Sequence, residues 1–91
     1  MAVTIKLPTQ LRAAAGGAAE ASADGSTVGE VLEALYAQHG ELRERIAGDD
    51  GTIRRFVNVF LDGEDIRFLD DLDTSVPEGA ELTILPAVAG G

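Results

Sequence analysis

Five residues follow Pro86 and end the sequence: Ala87-Val88-Ala89-Gly90-Gly91. All but Val88 are very small, and none is charged. Fully extended, they reach about 17 Å, at ~3.3–3.6 Å per residue. A tail this thin can thread a narrow channel into another protein's active site. Glycine suits its tip, having no side chain to clash and free access to any φ. The competing reading is a frayed terminus that ends in two glycines by accident, a chance of about 0.5% with glycine near ~7% of residues. Elsewhere the candidates are fewer. The carboxylates Asp62, Glu64, Asp65, Asp70, Asp71 and Asp73 could attract a cation, but they lack the calcium-loop spacing. They read as a solvated acidic face, with partner steering as a second role and no metal assigned. His39 is the single histidine and falls at a helix end, where it reads as a surface residue complementing the helix dipole. Gly16-Gly17 has no following Lys-Ser/Thr, so the phosphate-cradling Walker pattern fails. With no cysteine there is no disulfide, thiolate metal site or cysteine nucleophile.

Whatever the tail does, a folded body must present it. Ninety-one residues set a ceiling of one domain. A hydrophobic content of 45% is enough for a compact core. Sixteen acidic residues against seven basic ones give a net charge of −9. Nucleic-acid backbones and anionic membranes would repel such a chain, so neither is an expected partner. No apolar run approaches the ~20 residues of a membrane span, and no signal-peptide pattern opens the sequence. The expectation is a soluble, cytoplasmic protein.

Alternation of Val3, Ile5 and Leu7 with Thr4 and Lys6 predicts a strand with one buried face, stopped by Pro8. The small, flexible Ala13–Gly17 stretch predicts a hairpin turn, and Ala19–Ala23 a weak second strand. Thr27 and Glu30 have capping-box spacing. After them Val28, Val31, Leu32, Leu35 and Tyr36 form one helical stripe, with Gly40 as a left-handed stop. A short helix follows over Glu41–Ile46, then a turn at Asp49-Asp50-Gly51. Phe56–Leu61 is rich in β-branched and aromatic residues and predicts the central strand. Asp62-Gly63 predicts a two-residue hairpin turn into a partner strand over Glu64–Phe68. Leu69–Leu72 reads as one helical turn, Pro77-Glu78-Gly79 as another turn, and Glu81–Leu85 as the last strand. The expected core is Val3, Ile5, Val28, Leu32, Leu35, Val57, Val59, Leu61, Leu82 and Ile84. This order predicts an α+β design: a mixed four- to five-stranded sheet with one main helix across one face. With the first and last strands parallel at its centre, that is the β-grasp, or ubiquitin-like, fold. Residues 1–86 form the domain and 87–91 the tail. On the helix-free face Phe56 and Phe60 join Leu85, either as a docking patch or beneath covering loops.

The decapeptide Leu82-Thr83-Ile84-Leu85-Pro86-Ala87-Val88-Ala89-Gly90-Gly91 resembles the C-terminus of the ubiquitin-like sulfur carriers of the ThiS/MoaD family. Arg55-Phe56-Val57-Asn58, Glu64-Asp65-Ile66-Arg67-Phe68 and the initial Val3-Thr4 extend the likeness along the chain, which is greatest toward the carriers of cysteine biosynthesis. The resemblance implies that a partner adenylyltransferase, using ATP and Mg²⁺, converts the carboxyl of Gly91 to an acyl-adenylate. A sulfur donor then displaces AMP and leaves a thiocarboxylate. Gly90 matches the other residue of the family diglycine, and Ala87, Val88 and Ala89 complete the recognised tail. In cysteine-forming systems a pyridoxal-phosphate synthase joins the thiocarboxylate to activated serine, and a zinc peptidase releases cysteine. All these cofactors belong to partners and none to the chain. Other acceptors stay open: a molybdopterin-synthase-type complex, thiamin, a sulfur-containing natural product, or lysines modified in the manner of ubiquitin. A β-grasp module with an inert tail also remains.

Overall fold

The structure, a computed structural model, describes residues 2–86. Five strands form one sheet in the order β2-β1-β5-β3-β4. They are β1 (Val3–Lys6), β2 (Glu20–Ala23), β3 (Val57–Leu61), β4 (Glu64–Asp65) and β5 (Glu81–Pro86). β1 and β5 run parallel, with Ile5 opposite Leu82, and the other pairs are antiparallel. Helix α1 (Thr9–Arg12) lies between β1 and β2, while α2 (Val28–Gln38) and α3 (Gly40–Ile46) lie between β2 and β3. The apolar stripe of α2 and the inward residues of β1, β3 and β5 close one core. This is the expected mixed-sheet β-grasp arrangement, with all five strands present.

Helix α2 starts where the sequence says it should. The Glu30 N–H donates to Thr27 Oγ1 at 3.2 Å, and the Glu30 carboxylate accepts from the Ser26 N–H at 2.8 Å. The reciprocal bond therefore falls one residue earlier than in a standard capping box. Just before it, Gly25 passes so close to the helix that a Cβ there would lie 2.6 Å from the Val31 nitrogen. Thr27→Ala removes the acceptor for one helix-end N–H and should cost about 1 kcal/mol. In a chain of this size that lowers the melting temperature by roughly 4–8 °C, measurable by circular dichroism.

Several elements depart from expectation. Ala13–Gly17 is not a hairpin turn. The chain makes α1, continues in a 3₁₀ turn over Ala13–Ala15, and exits through Gly16 and Gly17 at φ of 68° and 90°. Alanine's helix propensity prevails there, because Leu11 and Ala15 give the turn apolar anchors in the core. Gly40 is no left-handed stop: it opens α3, and His39, at φ −136° and ψ 85°, leaves the helical region and makes the break. β4 ends at Asp65 instead of Phe68, because the Asp65 carboxylate accepts the Arg67 N–H at 2.9 Å and caps a 3₁₀ turn over Ile66–Phe68. The helical turn read at Leu69–Leu72 is a 3₁₀ turn at Asp71–Asp73. β3 is not the central strand; β5 is, since β1 and β3 pair with its two edges. Of the expected core only Val57 is half-buried, the rest being buried, and Leu42, Ile46 and Ile66 join them.

Candidate functional site

Two parts of the molecule bear on function: the end of β5 and the helix-free sheet face. β5 points its Leu82 and Ile84 side chains into the core, where both are fully buried. Pairing with β1 over Glu81–Thr83 and with β3 over Leu82–Pro86 fixes its direction to the last described residue, Pro86, which lies opposite Val57. The residues assigned to the tail, Ala87, Val88, Ala89, Gly90 and Gly91, lie outside the described residues.

Strand alternation turns Thr4, Lys6, Thr83, Leu85, Asn58, Phe60 and Asp65 to the other face. Phe60 is opposite Thr83 and Asp65, and Leu85 is opposite Asn58. Phe60 and Leu85 are thus diagonal neighbours on adjacent strands, a spacing within reach of an aromatic ring. Leu85 is 43% exposed and Phe60 half-buried. Phe56 is 62% exposed, but it sits in the turn before β3 and pairs with no strand.

A residue that sequence reasoning missed completes this face. The Arg67 guanidinium donates to Asp65 Oδ2 and to Asn58 Oδ1, both at 2.8 Å, and so spans from β4 back to β3 beside Phe60. Hydrogen bonds from Arg67 hold the Asp65 carboxyl below its ordinary pKa. The signal was Asp65-Ile66-Arg67, an aspartate able to cap its own turn two residues on. That turn also leaves Phe68 85% exposed and Leu69 38% exposed, where a longer β4 would have paired them.

Two carboxylates of the acidic run are engaged locally. Asp65 holds Arg67, and the Asp62 carboxylate accepts the Glu81 N–H at 3.0 Å. Among the described residues no group of three or more histidine or acidic side chains could hold a metal ion. His39 lies half-buried at the junction of α2 and α3. Among the described residues no helix is long and apolar enough to cross a membrane.

Comparison with known proteins bears on the part the structure leaves undescribed. The ThiS family matches residues 5–91, tail included. The sulfur carrier protein CysO of Mycobacterium tuberculosis is 43% identical over 93 residues, covering 100% of both chains. The crystal structure of the Amycolatopsis orientalis BexX/CysO complex contains a chain 40% identical, with a TM-score of 0.90 and coverage of 98% and 99%. SAMP1 from Haloferax volcanii is 33% identical, with a TM-score of 0.85 and coverage of 100% of both chains. With a match that runs from the first strand through the diglycine, the chain belongs to the ThiS family.

Proposed function

We propose that the chain is a sulfur carrier, with residues 1–86 as the body and 87–91 as the tail. A partner adenylyltransferase uses ATP and Mg²⁺ to join the Gly91 carboxylate to AMP, releasing pyrophosphate. A sulfur donor attacks the acyl carbon and AMP leaves, so one carboxyl oxygen is exchanged for sulfur. An unactivated carboxylate, with a terminal pKa of about 3.3–3.7, is anionic at neutral pH and resists that attack. The chain is the protein-bound donor on which enzymes act, and not itself an enzyme. The observation that carries this reading is the family match through Gly91, behind a central strand held on both edges.

The acceptor follows from likeness to CysO. A pyridoxal-phosphate synthase joins the thiocarboxylate to activated serine, an S-to-N acyl shift follows, and a zinc peptidase releases cysteine in the cytoplasm. Intact mass of the chain after incubation with adenylyltransferase, ATP and a sulfur donor tests the proposal. The expected gain equals one oxygen replaced by sulfur at Gly91. An unchanged mass overturns the carrier reading. Adducts on lysines of other proteins would favour a modifier, the role in the name of a 37%-identical archaeal relative that covers 75% of this chain.

The body docks through Phe60, Leu85 and Phe56. Phe60→Ala should raise the KM of the activating enzyme by about 5–30-fold, the range of a truncated interface anchor. Its melting temperature should stay close to that of the unaltered chain. With a net charge of −9, association should also slow as ionic strength rises. An unchanged KM for Phe60→Ala removes the patch assignment.

A further inference from the structure

Beside the end of β5, a groove of about 420 Å³ runs between that strand and the segment from β1 into α1. Lys6, Pro8, Arg12, Thr83, Leu85 and Pro86 are among the residues that line it. Both charged side chains in the lining are basic, and among the described residues no acidic side chain lines it. In a chain with sixteen acidic and seven basic residues, that is a local reversal of sign.

The two cations are not equivalent. Lys6 Nζ lies 3.7 Å from the Glu81 carboxylate on the open sheet face, which engages its charge. Arg12 is half-buried, and its Nε donates to the Leu7 carbonyl at 3.2 Å, anchoring the side chain. Its two terminal amino groups have no hydrogen-bond partner among the described residues. A planar guanidinium anchored in this way is preorganised to take a carboxylate through two parallel N–H bonds.

We propose that this groove receives an acidic side chain, aspartate or glutamate, at the channel mouth of the enzymes that accept the tail, and that Arg12 pairs with it. The inference rests on the carrier reading and adds a second contact to it. Leu85 and Pro86 line both the groove and the tail's point of departure. An enzyme that draws in the residues after Pro86 therefore brings the rim of its channel onto the groove. An acidic rim would be repelled by most of this surface and accepted here. Arg12 thus sets the angle at which the body sits over the channel, as a positioning residue remote from the reacting carboxyl.

The test uses the full chain and the adenylyltransferase, with ATP–pyrophosphate exchange as readout and melting curves in parallel. Arg12→Gln should raise KM about fivefold and Arg12→Glu about twentyfold or more, with kcat unchanged, as for loss and reversal of an interfacial charge. Arg12→Lys should fall between the unaltered chain and Arg12→Gln, at about two- to threefold, because it keeps the charge but loses the parallel pair of N–H bonds. An enzyme variant with one acidic rim residue changed to arginine should recover Arg12→Glu. Unaltered KM for Arg12→Glu overturns the groove assignment while leaving the carrier reading intact. Equal losses for Arg12→Lys and Arg12→Gln, tracking their melting temperatures, would make Arg12 merely structural and also overturn it. So would a change in the Arg12 Nε resonance of the free chain on deleting residues 87–91, since the tail itself would then occupy the groove. If the unaltered chain supports no exchange, the carrier reading fails and takes this inference with it.

Discussion

Deleting Gly91, or adding one residue after it, is expected to reduce adenylation and sulfur loading at least a hundredfold while leaving the melting curve unchanged. Either change displaces the terminal carboxyl by about one residue length, ~3.5 Å. Attack on the α-phosphorus of ATP requires near in-line contact, and misplacement by even ~1 Å can cost about a hundredfold in rate. Stability should not follow, because Gly91 lies five residues beyond the end of β5, and the buried core among the described residues is built from the strands and helices before it. The same reasoning explains why the diglycine needs a body. Ordering five tail residues inside an enzyme costs roughly 5–10 kcal/mol of backbone entropy, at ~1–2 kcal/mol each. Contacts made by the sheet face must offset much of that. Pyrophosphate exchange and intact mass check the expectation together. A chain without Gly91 that still gains sulfur at its terminus would show that the reactive residue is misassigned.

How much of this was legible before any coordinates depends on the range of the interaction concerned. Thr27 and Glu30 are three residues apart, and the stripe from Val28 to Tyr36 needs only helical periodicity, so α2 could be read directly. Asp62-Gly63 was equally local, and both residues take positive φ, 49° and 91°, as a two-residue turn requires. The misreadings have nonlocal or side-chain causes. The parallel pairing of the first and last strands at the centre was read correctly, but it excludes Phe56–Leu61 from the central place that its β-rich composition suggested. β4 is cut short by a single carboxylate, Asp65, that satisfies a backbone N–H its own strand would otherwise use. Ala13–Ala15 becomes helical because Leu11 and Ala15 find a core to bury in, a tertiary fact. For the site, the alternation in β5 correctly separated Leu82 and Ile84 from Thr83 and Leu85. Arg67 was invisible because its reach to Asn58 crosses from the turn after β4 to β3.

That separation of faces on one strand yields the second large effect. Ile84→Ala should destabilise the fold by about 2–5 kcal/mol, the usual cost of emptying a fully buried aliphatic site. Total stability for a chain this long is about 5–14 kcal/mol, at ~0.05–0.15 kcal/mol per residue, so one substitution removes a large share. The melting temperature should fall by roughly 10–30 °C. Ile84 lies opposite Val59, whose strand cannot collapse inward without breaking ladder bonds. Leu85 is the next residue and points the other way, 43% exposed. Leu85→Ala should therefore shift stability by no more than about 0.5 kcal/mol, as surface changes do. Its effect should appear in the KM of the activating enzyme. Ile84→Ala, assayed well below its melting temperature, should show the opposite profile: a KM near that of the unaltered chain and a much lower urea midpoint. Urea titration of both variants, paired with exchange kinetics, decides the matter. Equal loss of stability in the two would mean that Leu85 belongs to the core, and the sheet face assigned to docking would lose its central residue.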